Sequence, residues 1–480
     1  MANAIGPPCG PKPSGGGPSF GAKPSGGGPR EGRAWVFGLS LAAMGGALHI
    51  GTNLPVGEIP VRVVASDLVL PVALGAVLLA ALRLRAPTPR WRLGALPLWL
   101  LALSLWLGVA LVLGRIETAA WHGWAVVNKG LGWLVLLAYL WLGGWITTLG
   151  GHRAQERLVR AFIGLGWLAC LYAIGLHLSI MAGIVEMPAY ARFLESDTVA
   201  DPFDLTAGVV YGAARLSGLA ANPNAFGLLL AALVAVQAPY LKRGLLFPGW
   251  LHVLGMGLAL ACIFLSGSRS ALLAVAAGWG ALWALKHADW KRSALAALFG
   301  FALVLGVGVA GQAIDDSRDG TAESSAGSAT SNAPTLVARA LIIPGQNLDN
   351  RFGLRARLEQ VEGALALWRE SPIVGAGLGT YLARQADTPA PQQVHTTALW
   401  LLAETGAVGL ALFAAFFVAA AMALGGRRAG VEREPIVAGT LGLLIGLAAA
   451  SIGTEVLYQR YLWFFLGLAL ALPRPEPAGS

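Results

Sequence analysis

Of the 480 residues, 56% are hydrophobic and only 12% are charged, where a soluble domain carries about a quarter. Mean hydropathy is +0.64, which excludes an ordinary soluble globular protein. The net charge of +9 does not indicate nucleic acid as a partner, because the basic residues are scattered between apolar stretches rather than gathered on one domain.

The first 33 residues are a Pro/Gly-rich tail in which Lys12 to Pro18 recurs as Lys23 to Pro29. With so little apolar surface it reads as a disordered cytoplasmic tail rather than a cleaved signal peptide. Windows of bilayer-spanning length then fall at 34–52, 66–83, 93–113, 130–149, 161–183, 223–241, 247–266, 271–286, 293–312, 396–424, 435–453 and 455–473. The expected fold is thus an all-α polytopic membrane protein of about twelve transmembrane helices. Nine of them fall within 34–312, three within 396–473, and a short tail follows at 474–480.

Lysine and arginine mark the sides. Arg83, Arg85, Arg90, Arg92, Arg153, Arg157, Arg160, Lys242, Arg243, Lys286, Lys291, Arg292, Arg427, Arg428 and Arg433 fall on one side when every window is counted. The positive-inside rule makes that side, and both termini, cytoplasmic. The opposite side carries a loop at about 184–222 and a large one at 313–395, both far longer than ordinary connections. Within the second, Leu354 to Trp368 reads as a helix with Leu358, Val361, Leu365 and Trp368 on one apolar face. Cys9, Cys170 and Cys262 give neither a disulfide framework nor a cysteine metal site.

Sorting polar residues by side isolates a small set. His49, His122, His177 and His395 fall in the outer half. His49 and His177 read as histidines hydrogen-bonded between helices, and His122 as an interfacial residue in a short Trp-rich loop. His395 alone follows a long polar loop and leads into an apolar run interrupted by Gly406 and Gly409, where helices bend or approach closely. Arg269, in the turn Ser266-Gly267-Ser268-Arg269-Ser270, and Arg215, shortly before Asn222-Pro223-Asn224, share that side. An arginine at membrane depth needs an anion. Two on one face point to a shared anion such as pyrophosphate, which guanidinium forks bind bidentately.

These elements together, with Pro372 to Tyr381 (Pro-Ile-Val-Gly-Ala-Gly-Leu-Gly-Thr-Tyr), resemble the bacterial O-antigen ligase and O-antigen polymerase superfamily. The likeness runs from Arg215 to Gly409, with Thr396 standing where the family more often has Asn, Ser or Gln. It implies a GT-C-like, metal-independent glycosyltransferase without cofactor, acting at the periplasmic side of the inner membrane. The implied donor is a glycan on undecaprenyl diphosphate, and the acceptor is lipid A-core or another glycan. Membrane lipid is a further partner and nucleic acid is not. Physically, the two arginines would stabilise the diphosphate leaving group, and neutral His395 would take the acceptor hydroxyl's proton. A polymerase or a protein O-oligosaccharyltransferase would need the same groups. A transporter or flippase would instead show related halves with broken helices at the midplane.

Secondary candidates carry alternatives. Arg351, Arg355 and Arg357 either line the donor site or form a solvated helix edge. Lys129 either touches the diphosphate from the outer surface or snorkels. Glu404 is read as an interhelical hydrogen-bond partner before a catalytic group. Glu455 and Arg460 are expected to pair with each other.

Overall fold

The computed structural model describes residues 48–56, 59–83, 89, 91, 95–182, 184, 209–210, 213–214, 216, 218–220, 223–319, 348–385, 393–394, 396–425 and 434–471. In chain order these form β1 (Gly51–Val56), β2 (Ile59–Val64), α1 (Ala65–Arg83), α2 (Leu96–Glu117) and a π-helical turn (Ala125–Leu131) leading into α3 (Gly132–Met181). Then come β3 (Val209–Val210), β4 (Ala213–Ala214), α4 (Pro223–Arg243), α5 (Gly249–Ser266), α6 (Arg269–Ala284) and α7 (Trp290–Asp319). The chain continues with α8 (Leu348–Glu370), α9 (Thr380–Ala383), α10 (Thr397–Gly425), α11 (Pro435–Ala450) and α12 (Arg460–Leu470).

Among the described residues, seven helices are long and apolar enough to cross a membrane, and α11 and α12 are shorter apolar helices. The protein is therefore a multi-pass membrane protein. One of the seven is a 55-residue run from Ala125 to Ser179, but it joins two helices across a break at Gly151 (φ 58°, ψ −156°), so the windows 130–149 and 161–183 are separate helices. Gln155 Nε2 donates to Thr147 Oγ1 across that break (2.9 Å), which side chains eight residues apart on one straight helix could not do, and Arg153, Arg157 and Arg160 lie on the second helix rather than in a loop. A second departure concerns the first window: residues 34–47 lie outside the described set, and Gly51–Val56 is a strand paired antiparallel with Ile59–Val64. The tail at 1–33 lies outside it too.

Burial sorts the helices into centre and periphery. The α4 window is 94% buried, in keeping with a sequence apolar on every face, and α12 is buried throughout from Tyr461 to Leu470. By contrast, α1 and α2 are only 28% and 22% buried, and Leu98, Leu101, Leu105 and Ile116 point outward. Such an apolar periphery suits lipid. Between central helices the contacts are close because small residues meet: a Cβ on Gly278 of α6 would lie 2.5 Å from the Gly442 carbonyl of α11.

The bundle has two distinct ends. At one, Lys242 bonds to the Lys286 carbonyl, Arg292 Nη1 donates to the Leu241 carbonyl (2.8 Å) and Gln155 Nε2 donates to the Leu468 carbonyl (2.7 Å). At the other, Arg460 pairs with Asp67 (2.9 Å) and Lys129 pairs with Glu455. The expected Glu455–Arg460 pair is thus replaced by two separate ones. The reason is local: Arg460 opens α12 beside the first turn of α1, whereas Glu455 lies in the preceding turn and faces the π-helical turn before α3.

The Gly278 contact gives a controlled expectation. Gly278→Leu forces a side chain against the α11 backbone and should cost about 1–3 kcal/mol, read as a lower melting temperature in detergent. Gly280→Leu, on the same helix but with nothing within 4 Å of its Cβ position, should melt within a degree or two of the parent.

Candidate functional site

Residues 371–379 do not stay in a loop. They turn back into the bundle between α2 and α10. Leu378 N–H donates to the Ala110 carbonyl of α2 (2.8 Å), and the Ala376 and Gly377 N–H groups donate to the Ala403 and Glu404 carbonyls of α10 (3.0 Å each). Ala110 lies about 10 Å in from the Glu117 end of α2 at the helical rise, so the hairpin reaches well below the helix ends. The glycines make this approach feasible. Gly377 has φ +94°, and a Cβ there would collide with the Gly114 backbone; Gly375 and Gly379 share the left-handed conformation.

The hairpin meets α10 where that helix is broken. Gly406 (φ 69°, ψ −173°) interrupts it, and the Ala407 and Val408 N–H groups donate instead to the Pro372 (3.0 Å) and Ile373 (3.2 Å) carbonyls. The bend expected from the glycines at 406 and 409 is therefore present, and the hairpin supplies the acceptors the helix gives up.

Glu404 sits inside this junction, 1% exposed. Its Oε1 accepts from the Gly379 N–H (3.0 Å) and the Tyr381 N–H (3.2 Å), capping the short α9. Its Oε2 accepts from Trp400 Nε1 (2.7 Å). The carboxylate is thus a hydrogen-bond acceptor between segments, as the sequence suggested, though its partners are loop amides and a neighbour on its own helix.

Lys129 is neither at the surface nor snorkelling. It lies in the π-helical turn and is 4% exposed. Its ammonium pairs with Glu455 and lies against the rings of Trp400 (4.0 Å), Tyr458 (4.4 Å) and Trp124 (4.8 Å).

Arg269 is the first residue of α6. Ser268 caps that helix, its Oγ accepting from the Ala271 N–H (3.4 Å), and a helix start favours anions. Arg269 is exposed and carries no ion pair among the described residues. Arg215 and His395 lie outside the described residues, and so does the Arg357 side chain, which belongs to α8. Their neighbours are informative nonetheless. The Leu216 N–H donates to the Leu265 carbonyl (3.3 Å), which sets the chain after Arg215 beside the Arg269 turn. Two residues after His395, Thr397 Oγ1 donates to the Thr454 carbonyl (3.1 Å) and accepts from the Val456 N–H (2.8 Å). In the same turn, a Cβ on Gly453 would lie 2.9 Å from Ser270 Oγ, next to Arg269. One turn between α11 and α12 therefore touches both the start of α10 and the start of α6.

Residues 254–414 match the family described as O-antigen ligase. That segment is similar to the O-antigen ligase and polymerase superfamily. The matched segment includes Arg269, the glycine hairpin, His395 and the Gly406 break; Arg215, Lys129 and Glu455 fall outside it. No curated protein matches the chain. The family's members are glycosyltransferase-like ligases and polymerases that use lipid-linked glycans.

Other expectations fare differently. His49 lies in the turn before β1 rather than on a helix, and its Nε2 donates to the Phe162 carbonyl (2.9 Å), whereas buried His177 Nε2 finds no partner among the described residues. His122 lies against the hairpin at Gly379, and burial lowers its pKa. The apolar face assigned to α8 is rotated: Gln360, Ala364 and Leu367 are buried, while Leu358 is 52% exposed. The pairing roles of Trp400, Glu455 and Tyr458 were not foreseen; the only sequence signal was aromatic and acidic residues at helix starts.

Outside the spans, Arg384 ties three elements together through Glu370 (2.6 Å) and Glu117 (3.2 Å). The guanidinium holds the Glu370 carboxyl below the usual glutamate range. A depressed carboxyl adds stability above its unfolded pKa and loses it as pH falls through the lower folded value. Thermal melts of the parent should therefore weaken as pH drops below about 4. Arg384→Gln should flatten that acid limb, and an identical limb in the variant would show that the clamp adds nothing.

Proposed function

We propose that the protein transfers a glycan from undecaprenyl diphosphate to lipid A-core, as an O-antigen ligase. In this reading about twelve spans, in a GT-C-like arrangement, cross the bacterial inner membrane, with both termini cytoplasmic. The site and the segment 313–395 face the periplasm. The observation that carries the proposal is the turn Ser451–Tyr458, which contacts both Thr397, two residues after His395, and Ser270, beside Arg269.

The chemistry follows from those positions. Arg269 and Arg215 hold the diphosphate as paired forks. The acceptor hydroxyl oxygen attacks the anomeric carbon of the donor sugar, and the bond to the diphosphate oxygen breaks. The hydroxyl proton passes to the imidazole of His395, and undecaprenyl diphosphate leaves with its charge stabilised by the arginines, without a metal. Arg357 on α8 is placed by sequence to extend the same anion site. A polymerase would present another lipid-linked glycan as acceptor to these same groups.

Purified protein, lipid-linked glycan and lipid A-core test the reading directly. His395→Ala should bind donor normally and lose roughly 10²–10⁴-fold in transfer, and His395→Gln should not rescue it. Arg269→Lys should lose about tenfold or more, because an ammonium cannot present a planar fork. Parental rates in both variants, or product formed only with a second lipid-linked glycan as acceptor, would remove the ligase assignment.

A further inference from the structure

We propose that Lys129 is a positioning residue of the transfer reaction, fixing the first turns of α10 against the Ser451–Gln459 turn. The inference rests on the reading that His395 works at the head of α10; Lys129 itself lies outside the segment that matches the family.

The geometry is that of a clamp rather than a ligand site. The π-helical turn Ala125–Leu131 widens the start of α3, a device that re-aims side chains, and it carries the Lys129 ammonium inward. The three rings around that ammonium come from separate segments: Trp124 precedes α3, Trp400 belongs to α10 and Tyr458 to the turn before α12. Glu455, from the same turn as Tyr458, supplies the counter-charge. Tyr458 Oη returns a hydrogen bond to the Lys129 carbonyl (2.9 Å).

Trp400 is held on two sides, by the ammonium over its ring (4.0 Å) and by Glu404 on its indole N–H (2.7 Å). Because Trp400 and Thr397 share the opening of α10, their anchors jointly fix the first turn of that helix, two residues after His395 in sequence. A neutral side chain of the same length would fill the box without drawing Trp400 and Glu455 together, since cation–π attraction and the ion pair both need the charge.

Stability and positioning can be separated. Lys129→Met leaves Glu455 without its partner, so it should lower both the melting temperature and the rate. Lys129→Met/Glu455→Gln removes both charges and should regain most of the melting temperature, since neutral replacements of a buried pair are tolerated. If Lys129 positions α10, the double variant still shows kcat reduced by about tenfold to a hundredfold. Its KM for the lipid-linked donor should stay within roughly threefold of the parent. Hydrogen exchange of a peptide covering 397–401 should also be faster than in the parent. A double variant that transfers at the parental rate, or exchanges at the parental rate over 397–401, overturns the proposal. If the parent itself forms no product from a diphosphate-linked donor, the ligase reading fails separately, and the exchange measurement still decides the role of Lys129.

Discussion

Backbone amides carried into an apolar bundle must find acceptors, and the buried carboxylate of Glu404 provides them for the segment on which this end of the molecule depends. Two N–H groups of the 379–381 turn converge on one of its oxygens and the Trp400 indole takes the other. The glycine hairpin then completes the account by accepting from Ala407 and Val408, whose helical partners are lost at Gly406. The break in α10 and the hairpin are therefore one feature. Either alone would leave unpaired polar groups among hydrocarbon side chains, at a penalty of several kcal/mol each.

From that junction a continuous set of contacts runs across the end of the bundle. Glu404 fixes Trp400, whose ring lies against Lys129; Lys129 pairs with Glu455, and the same turn holds Thr397 and reaches Ser270 beside Arg269. Segments from near residue 129, 270, 400 and 455 thus meet although they are far apart in the chain. A site distributed in this way needs rigid connections between its parts, because a displacement of about 1 Å between reacting groups is costly to rate. Buried charge pairs and double-anchored aromatic rings provide rigidity that apolar packing alone would not.

Hydropathy located the helices well: every window from 66–83 onward falls on a helix, because an apolar run of that length has few other ways to satisfy its backbone. It placed ends less well. The windows at 435–453 and 455–473 shorten to α11 and α12 because residues 451–459 form the turn that binds Thr397. The same averaging hid the return of 371–379, whose glycines look like a surface loop in sequence and act as close contacts in space. Bearing on the site, the turn before Arg269 and Glu404 as a hydrogen-bond acceptor were legible from composition and spacing. The ion-pair partners were not, since choosing between Arg460 and Lys129 for Glu455 requires knowing which helices are neighbours.

The distribution of charge at this end gives the strongest physical distinction between framework and site. Lys129, Arg384 and Arg460 each have a carboxylate partner, and each joins segments distant in sequence. Their charges are balanced within the fold, and for the largely buried Lys129 and Arg460 that is what a structural role in a low-dielectric surrounding requires. Arg269 differs: it stands at the positive start of α6, exposed, with no ion pair among the described residues. It stands on a helix held at its first turn by the Ser268 cap and packed against α11 along its length, and under the proposed function its charge is the one the donor diphosphate would meet.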